Sequence, residues 1–158
     1  EIKEEINAVR RELLRLESIG LLKSQKKGNR IYYLLNTEFV LYPEILSIVL
    51  KTGGLGAEVI KNLDKLGAVK YAFLTRSYIQ GIRDEAGNID FMIIGDVELD
   101  VLNDLVQRAE RQMGIEINYS VLKDSEFTLR KKRRDPFISK LLGGTKIMLY
   151  GSEDELVN

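Results

Sequence analysis

From Asn7 onward, apolar residues recur every three or four positions, at Val9, Leu13 and Leu16, and the stripe closes on Gly20. That spacing lines one side of an α-helix; with Asn7 as a competent N-cap and Gly20 as terminator, it predicts a helix over 7–20 with the stripe buried. The pattern then changes. Residues 22–25 and 30–35 flank Lys26-Lys27-Gly28-Asn29, and because Gly and Asn tolerate positive φ, a tight hairpin with a basic tip is expected. Residues 38–52, EFVLYPEILSIVLKT, are apolar around most of a helical circumference, with Pro43 suited to a first turn. Such a helix needs cover on more than one side.

Gly53, Gly54 and Gly56 form the densest glycine cluster between two periodic regions, so the domain boundary is placed there, dividing 1–52 from 53–158. The second part alternates in period: a helix near 57–66, a strand 69–74, a loop, a strand 89–94, a helix 99–113, a strand 116–122, a helix near 135–142 and a strand 146–150. This predicts a small mixed sheet carrying helices. The expected fold class is α+β.

Composition narrows the chemistry. With no Cys and no His among 158 residues, disulfides, thiolate catalysis, Cys-based zinc sites and imidazole chemistry are excluded. Carboxylates, Ser, Lys or Tyr would have to carry any reaction. The length suits one large domain or two small ones. No apolar run approaches the ~20 residues of a membrane span, and the start does not resemble a secretory signal, so a cytoplasmic protein is expected. Because the chain begins at Glu1 rather than Met, it is expected to continue a longer protein.

Net charge is zero, yet residues 7–36 hold seven cations against Glu12 and Glu17, a local charge of +5. On a helix Asn7, Arg11, Arg15 and Ser18 form one row, with Arg10 beside it. Arg forks to guanine and Asn to adenine in a major groove, while Lys26, Lys27 and Arg30 on a hairpin suit phosphates. An Arg-bearing helix followed by GLLKSQKKGNRIYYLLN resembles the winged-helix family of bacterial and archaeal transcription regulators, in the order recognition helix, then wing. The resemblance implies a double-stranded DNA partner and a homodimer joined through the helix after the wing. Residues 1–6 leave room only for the end of the helix-turn-helix scaffold, whose earlier helix would lie upstream.

A second motif lies at YAFLTRSYIQGIRDEAGNIDFMIIGDV, which resembles the minimal nucleotidyltransferases of the DNA polymerase beta superfamily. That family carries Gly-Ser after a first strand, a loop ending in Gly, then Asp-x-Asp; the matching positions here are Arg76-Ser77, Gly81 and Asn88-Ile89-Asp90. The later EINYSVL and DPFISKLLGGTKIMLYGSEDEL are similar to the tail of the family's members that bear a winged helix in front.

The departures bear on chemistry. Nucleotidyl transfer uses two divalent ions held by paired carboxylates, and Asn88 is a neutral amide at one of those positions. Arg76 stands where Gly lets the backbone approach phosphate, although its cation still attracts anions. A third carboxylate is expected on the neighbouring strand, where Asn118 aligns and Glu116 lies two residues earlier on the same face. The reading is a regulator whose transferase-like domain is inactive and serves as a scaffold, a dimer contact or a nucleotide sensor, with Ser77, Asn88 and Asp90 vestigial and Arg76 and Ser77 left for a nucleotide. It expects no cofactor. The alternative is an active enzyme using Mg²⁺ on Asp90 and Glu116. The run 130–134, five consecutive cations, is expected to be a solvated loop.

Overall fold

The computed structural model of the protein describes residues 2–82 and 88–158, so part of the loop expected before Asn88 lies outside the described residues. The chain forms two compact units, Glu1–Ile48 and Val49–Asn158. Their border falls inside a helix, shortly ahead of the glycine cluster.

In the first unit, α1 spans Ile2–Ser18. Asn7 therefore stands inside the helix and does not cap it. The cause is the preceding Glu and Lys residues, good helix formers that carry the helix across a single Asn. The far end behaves as expected: Gly20 takes φ +84, its N–H meets the Glu17 carbonyl, and the Leu21 N–H meets that of Leu16. This is a Schellman ending. The apolar stripe is less covered than its period implies, because Val9 is 59% exposed and Leu13 and Leu16 are only half-buried.

Strands β1 (Leu22–Lys27) and β2 (Arg30–Leu35) pair antiparallel, with Lys27 opposite Arg30. The turn is thus Gly28-Asn29 alone, and Lys26 and Lys27 belong to the strand. Gly28 has φ +60 but Asn29 is not in the positive region, so a single glycine supplies the turn's unusual backbone. Asn36 anchors the hairpin base: its N–H donates to Leu21 O and its Nδ2 to Gly20 O. Helix α2 runs Tyr42–Thr52, starting later than residue 38 because backbone turns bind Phe39 to Asn36 and Tyr42 to Phe39.

In the second unit, α3 (Gly54–Lys61) and a 3-10 turn (Leu63–Lys65) lead into β3 (Gly67–Thr75). Then follow α4 (Arg76–Gln80), β4 (Phe91–Val97), α5 (Leu99–Met113), β5 (Tyr119–Leu122), α6 (Asp124–Lys132), α7 (Pro136–Gly143), β6 (Lys146–Tyr150) and α8 (Glu153–Val157). The sheet order is β5-β4-β3-β6, with β3 antiparallel to β4 and β6, and β4 parallel to β5. It is a mixed four-stranded sheet in an α+β chain.

Side chains alternate across a strand, so each strand here feeds two cores. Ala72, Leu74, Phe91 and Ile93 pack with Leu55 and Val59 of α3 and Leu102, Leu105 and Ala109 of α5. Tyr71, Phe73, Met92 and Ile94 pack with Phe127, Ile138 and Leu156 from α6, α7 and α8. The unit is therefore a sheet with helices on both faces. Both central strands are buried on both sides, which is why their sequences read as continuous apolar runs.

Two expectations are corrected. The run 130–134 is a loop only in part: Arg133 and Arg134 form an exposed turn, but Arg130, Lys131 and Lys132 form the last turn of α6, with Asp124 and Glu126 in its first turn, a distribution that suits the helix dipole. Arg130 pairs with Glu126 at 2.6 Å, and Lys131 Nζ donates to Leu156 O at 2.9 Å. The strand expected from 116 begins only at Tyr119. Across the sheet, Lys70 of β3 reaches Asp124 at 2.8 Å, and that hydrogen bond raises the lysine pKa.

Several backbone positions permit only glycine, Gly67, Gly95 and Gly151 among them. Gly95 in β4 has φ +148, and a Cβ there would stand 2.3 Å from Ala68 O and 2.9 Å from Val69 Cα, beside the irregular register of β3. Gly95→Ala should therefore destabilise the chain by about 2 kcal/mol or more. Urea unfolding reads this as a lower midpoint, and an unchanged midpoint would contradict the close approach.

Candidate functional site

In the first unit, Asn7, Arg10, Arg11 and Arg15 of α1 and Lys26, Lys27 and Arg30 of the hairpin are all exposed. Arg11 and Arg15 are one helical turn apart, on the row that Asn7 begins. Lys27 Nζ lies 6.0 Å from the centre of the Tyr32 ring, which holds its charge above the hairpin surface. Lys23 is differently employed. It pairs with Glu38 at 2.5 Å, and the hydrogen bond, then the charge, lower the Glu38 pKa. Glu17 accepts from Ser24 Oγ, so one of the two acids is tied to the helix–hairpin junction.

The second unit brings the other residues to the mouth of β3 and β4. Thr75 closes β3, and its N–H donates to Asp90 O at 2.9 Å while its hydroxyl donates to Ile89 O. These bonds extend the ladder past the formal start of β4 and set Asn88, Ile89 and Asp90 beside Arg76 and Ser77. A cavity of about 430 Å³ opens there. One side carries Thr75, Arg76, Ser77, Ile82, Asn88 and Ile89; the other carries Phe137, Ser139, Lys140 and Leu141 of α7 and the Gly143-Gly144-Thr145 turn.

Asp90 is absent from that lining. It is 2% exposed, and its Oδ2 accepts the backbone N–H of Asn118 at 3.0 Å, while its own N–H donates to Asn118 O at 2.7 Å. The carboxylate thus ties β4 to the segment entering β5. Glu116 and Asn118 are exposed on that segment, ahead of the strand rather than on it. Among the described residues, no group of three or more Asp or Glu side chains could hold a metal ion.

Asp90→Ala would leave the Asn118 N–H without its side-chain acceptor and should cost about 1–3 kcal/mol. Thermal unfolding checks this; an unchanged melting temperature would argue against the structural role.

The structure brings Thr75, Arg76 and Ser77 together with Asn88 and Ile89 at the cavity, and α7 and its following turn, which the sequence motif does not include, complete it. The signal was present in Lys140 and in the Gly-Gly-Thr sequence after an apolar helix, which marks a turn. What placed it opposite Arg76 is the pairing of β6 with β3, in which Thr75 faces Lys146. Compared with protein-family models, with curated proteins and with solved structures, the chain matches none of them. No helix among the described residues is long and apolar enough to cross a membrane.

Proposed function

We propose that the protein is a DNA-binding transcription regulator whose second unit is a transferase-like module without transferase activity, kept as a sensor of a nucleotide-like ligand. The observation that carries the DNA reading is the exposed row of Asn7, Arg11 and Arg15 on one helix, followed directly by a short-turned hairpin with Lys26, Lys27 and Arg30 at its tip. A helix of this kind suits a major groove, and a basic wing suits the flanking phosphates. Selection from a random duplex library with this chain should enrich one motif. Recovery of unbiased sequences would remove the reading.

The lack of transferase chemistry is supported by Asn88 at a carboxylate position and by the engagement of Asp90 with Asn118. An active Mg²⁺-dependent enzyme is supported less well, since Glu116 stands off β5.

The regulator is expected to be a homodimer. Winged helices commonly read paired half-sites, and on α2 Ile48 and Val49 are 61% and 56% exposed. Sedimentation at tens of micromolar should give twice the chain mass. A strict monomer would remove this assignment.

A further inference from the structure

The cavity between Thr75 and α7 has a polarity opposite to that of a metal site. Its described lining includes Arg76 and Lys140 and no acidic side chain. Asn88 also lines it, and the Asn88 Nδ2 is buried with no hydrogen-bond partner among the described residues. A buried N–H donor without an acceptor is costly, and an incoming oxygen relieves that cost. A divalent cation entering here would meet two cations and an amide donor. Among the described residues, an anion would meet Arg76, Lys140 and the Asn88 amide as partners of the right kind.

The wall is also built in advance of any ligand. The Lys146 side chain is 4% exposed; its Nζ donates to Leu142 O at 2.9 Å and pairs with Glu153 at 2.9 Å, which pins the turn that forms the far side. Next to the polar groups, Phe137 and Leu141 present apolar surface. A volume of about 430 Å³ suits a small organic molecule rather than a bare ion.

We propose that this cavity takes a phosphate-bearing small molecule directly, without a bridging divalent ion. Arg76, Lys140 and the Asn88 amide hold the phosphoryl oxygens, and Phe137 and Leu141 cover the organic body. The inference rests on the reading of the second unit as a sensor and names the chemical class it senses. It also assigns roles to Lys140 and the α7 wall, which the motif around Arg76 does not include.

Calorimetric titration of the whole chain with ATP, inorganic pyrophosphate and adenosine, first in EDTA and then in excess Mg²⁺, tests it. ATP should bind in EDTA, no less tightly than with Mg²⁺, and adenosine should bind at least about tenfold more weakly. Pyrophosphate should fall below ATP, since it lacks the organic body. Arg76→Ala and Lys140→Ala should each weaken ATP about tenfold or more without lowering the melting temperature, because both side chains are exposed. Several results would overturn the proposal: no binding of ATP or pyrophosphate at millimolar concentration, a strict Mg²⁺ requirement, adenosine equal to ATP, pyrophosphate equal to ATP, or indifference to Lys140→Ala. DNA is absent from these titrations. Their failure therefore leaves the DNA reading standing, and failure of duplex selection leaves the ligand site standing.

Discussion

Replacing Arg11 and Arg15 together by alanine is expected to weaken sequence-specific DNA binding by roughly 2 to 6 kcal/mol, about 1 to 3 from each lost base contact, while random duplex is affected far less. The two residues share one row of α1, and both are exposed. Lys26→Ala with Lys27→Ala should behave differently. Those side chains sit where β1 meets the turn, and a phosphate contact carries no sequence information. Specific and random DNA should weaken alike, and the slope of log affinity against log salt should fall by about one per lysine. Fluorescence anisotropy on the selected motif and on random duplex, across a salt series, separates the two behaviours. Equal effects of both pairs on both DNAs would defeat the assignment of helix to bases and wing to backbone.

The second large effect concerns the transferase chemistry that the second unit is proposed to lack. The unmodified chain should transfer no nucleotide from radiolabelled ATP, GTP, CTP or UTP with Mg²⁺. Two-metal transfer needs carboxylates that face the substrate together. In this unit Asn88 lines the cavity as an amide, and Asp90 is turned into the β4–β5 junction to accept the Asn118 N–H. Restoring Asn88→Asp and Arg76→Gly together returns an anion to the cavity and removes the Arg76 cation, so only that double variant is expected to show self-labelling or turnover. Mg²⁺-dependent labelling by the unmodified chain, abolished by Asp90→Ala, would overturn the inactive reading. It would also make Glu116 the substitute ligand.

The parts of the fold legible from sequence were those whose signals are local. Helix α5 and strand β6 begin and end where period and turn residues predict, because Leu102, Leu105, Val106 and Ala109 keep one helical face and Gly114 follows directly. The hairpin was legible for the same reason, since Gly28 and Asn29 both tolerate positive φ, although only Gly28 uses it and the turn is shorter than the four residues expected. Helix α6 was hidden. Its cations look like mutual repulsion in sequence, and what stabilises them is an acid one turn earlier and a carbonyl of α8.

The chain order by itself determined most of the strands and the longer helices other than α6, the basic character of 7–36 and the adjacency of Arg76-Ser77 to the strand end. Only tertiary structure decided which residues share a cavity. Pairing of β6 with β3 brings Lys140 and the Gly143–Thr145 turn across from Arg76, some sixty residues earlier in the chain. The same holds for Asp90, whose motif suggests a metal ligand but whose Oδ2 meets Asn118 through the parallel pairing of β4 with β5. A carboxylate's role depends on which donor lies within hydrogen-bond reach, and sheet register sets that distance.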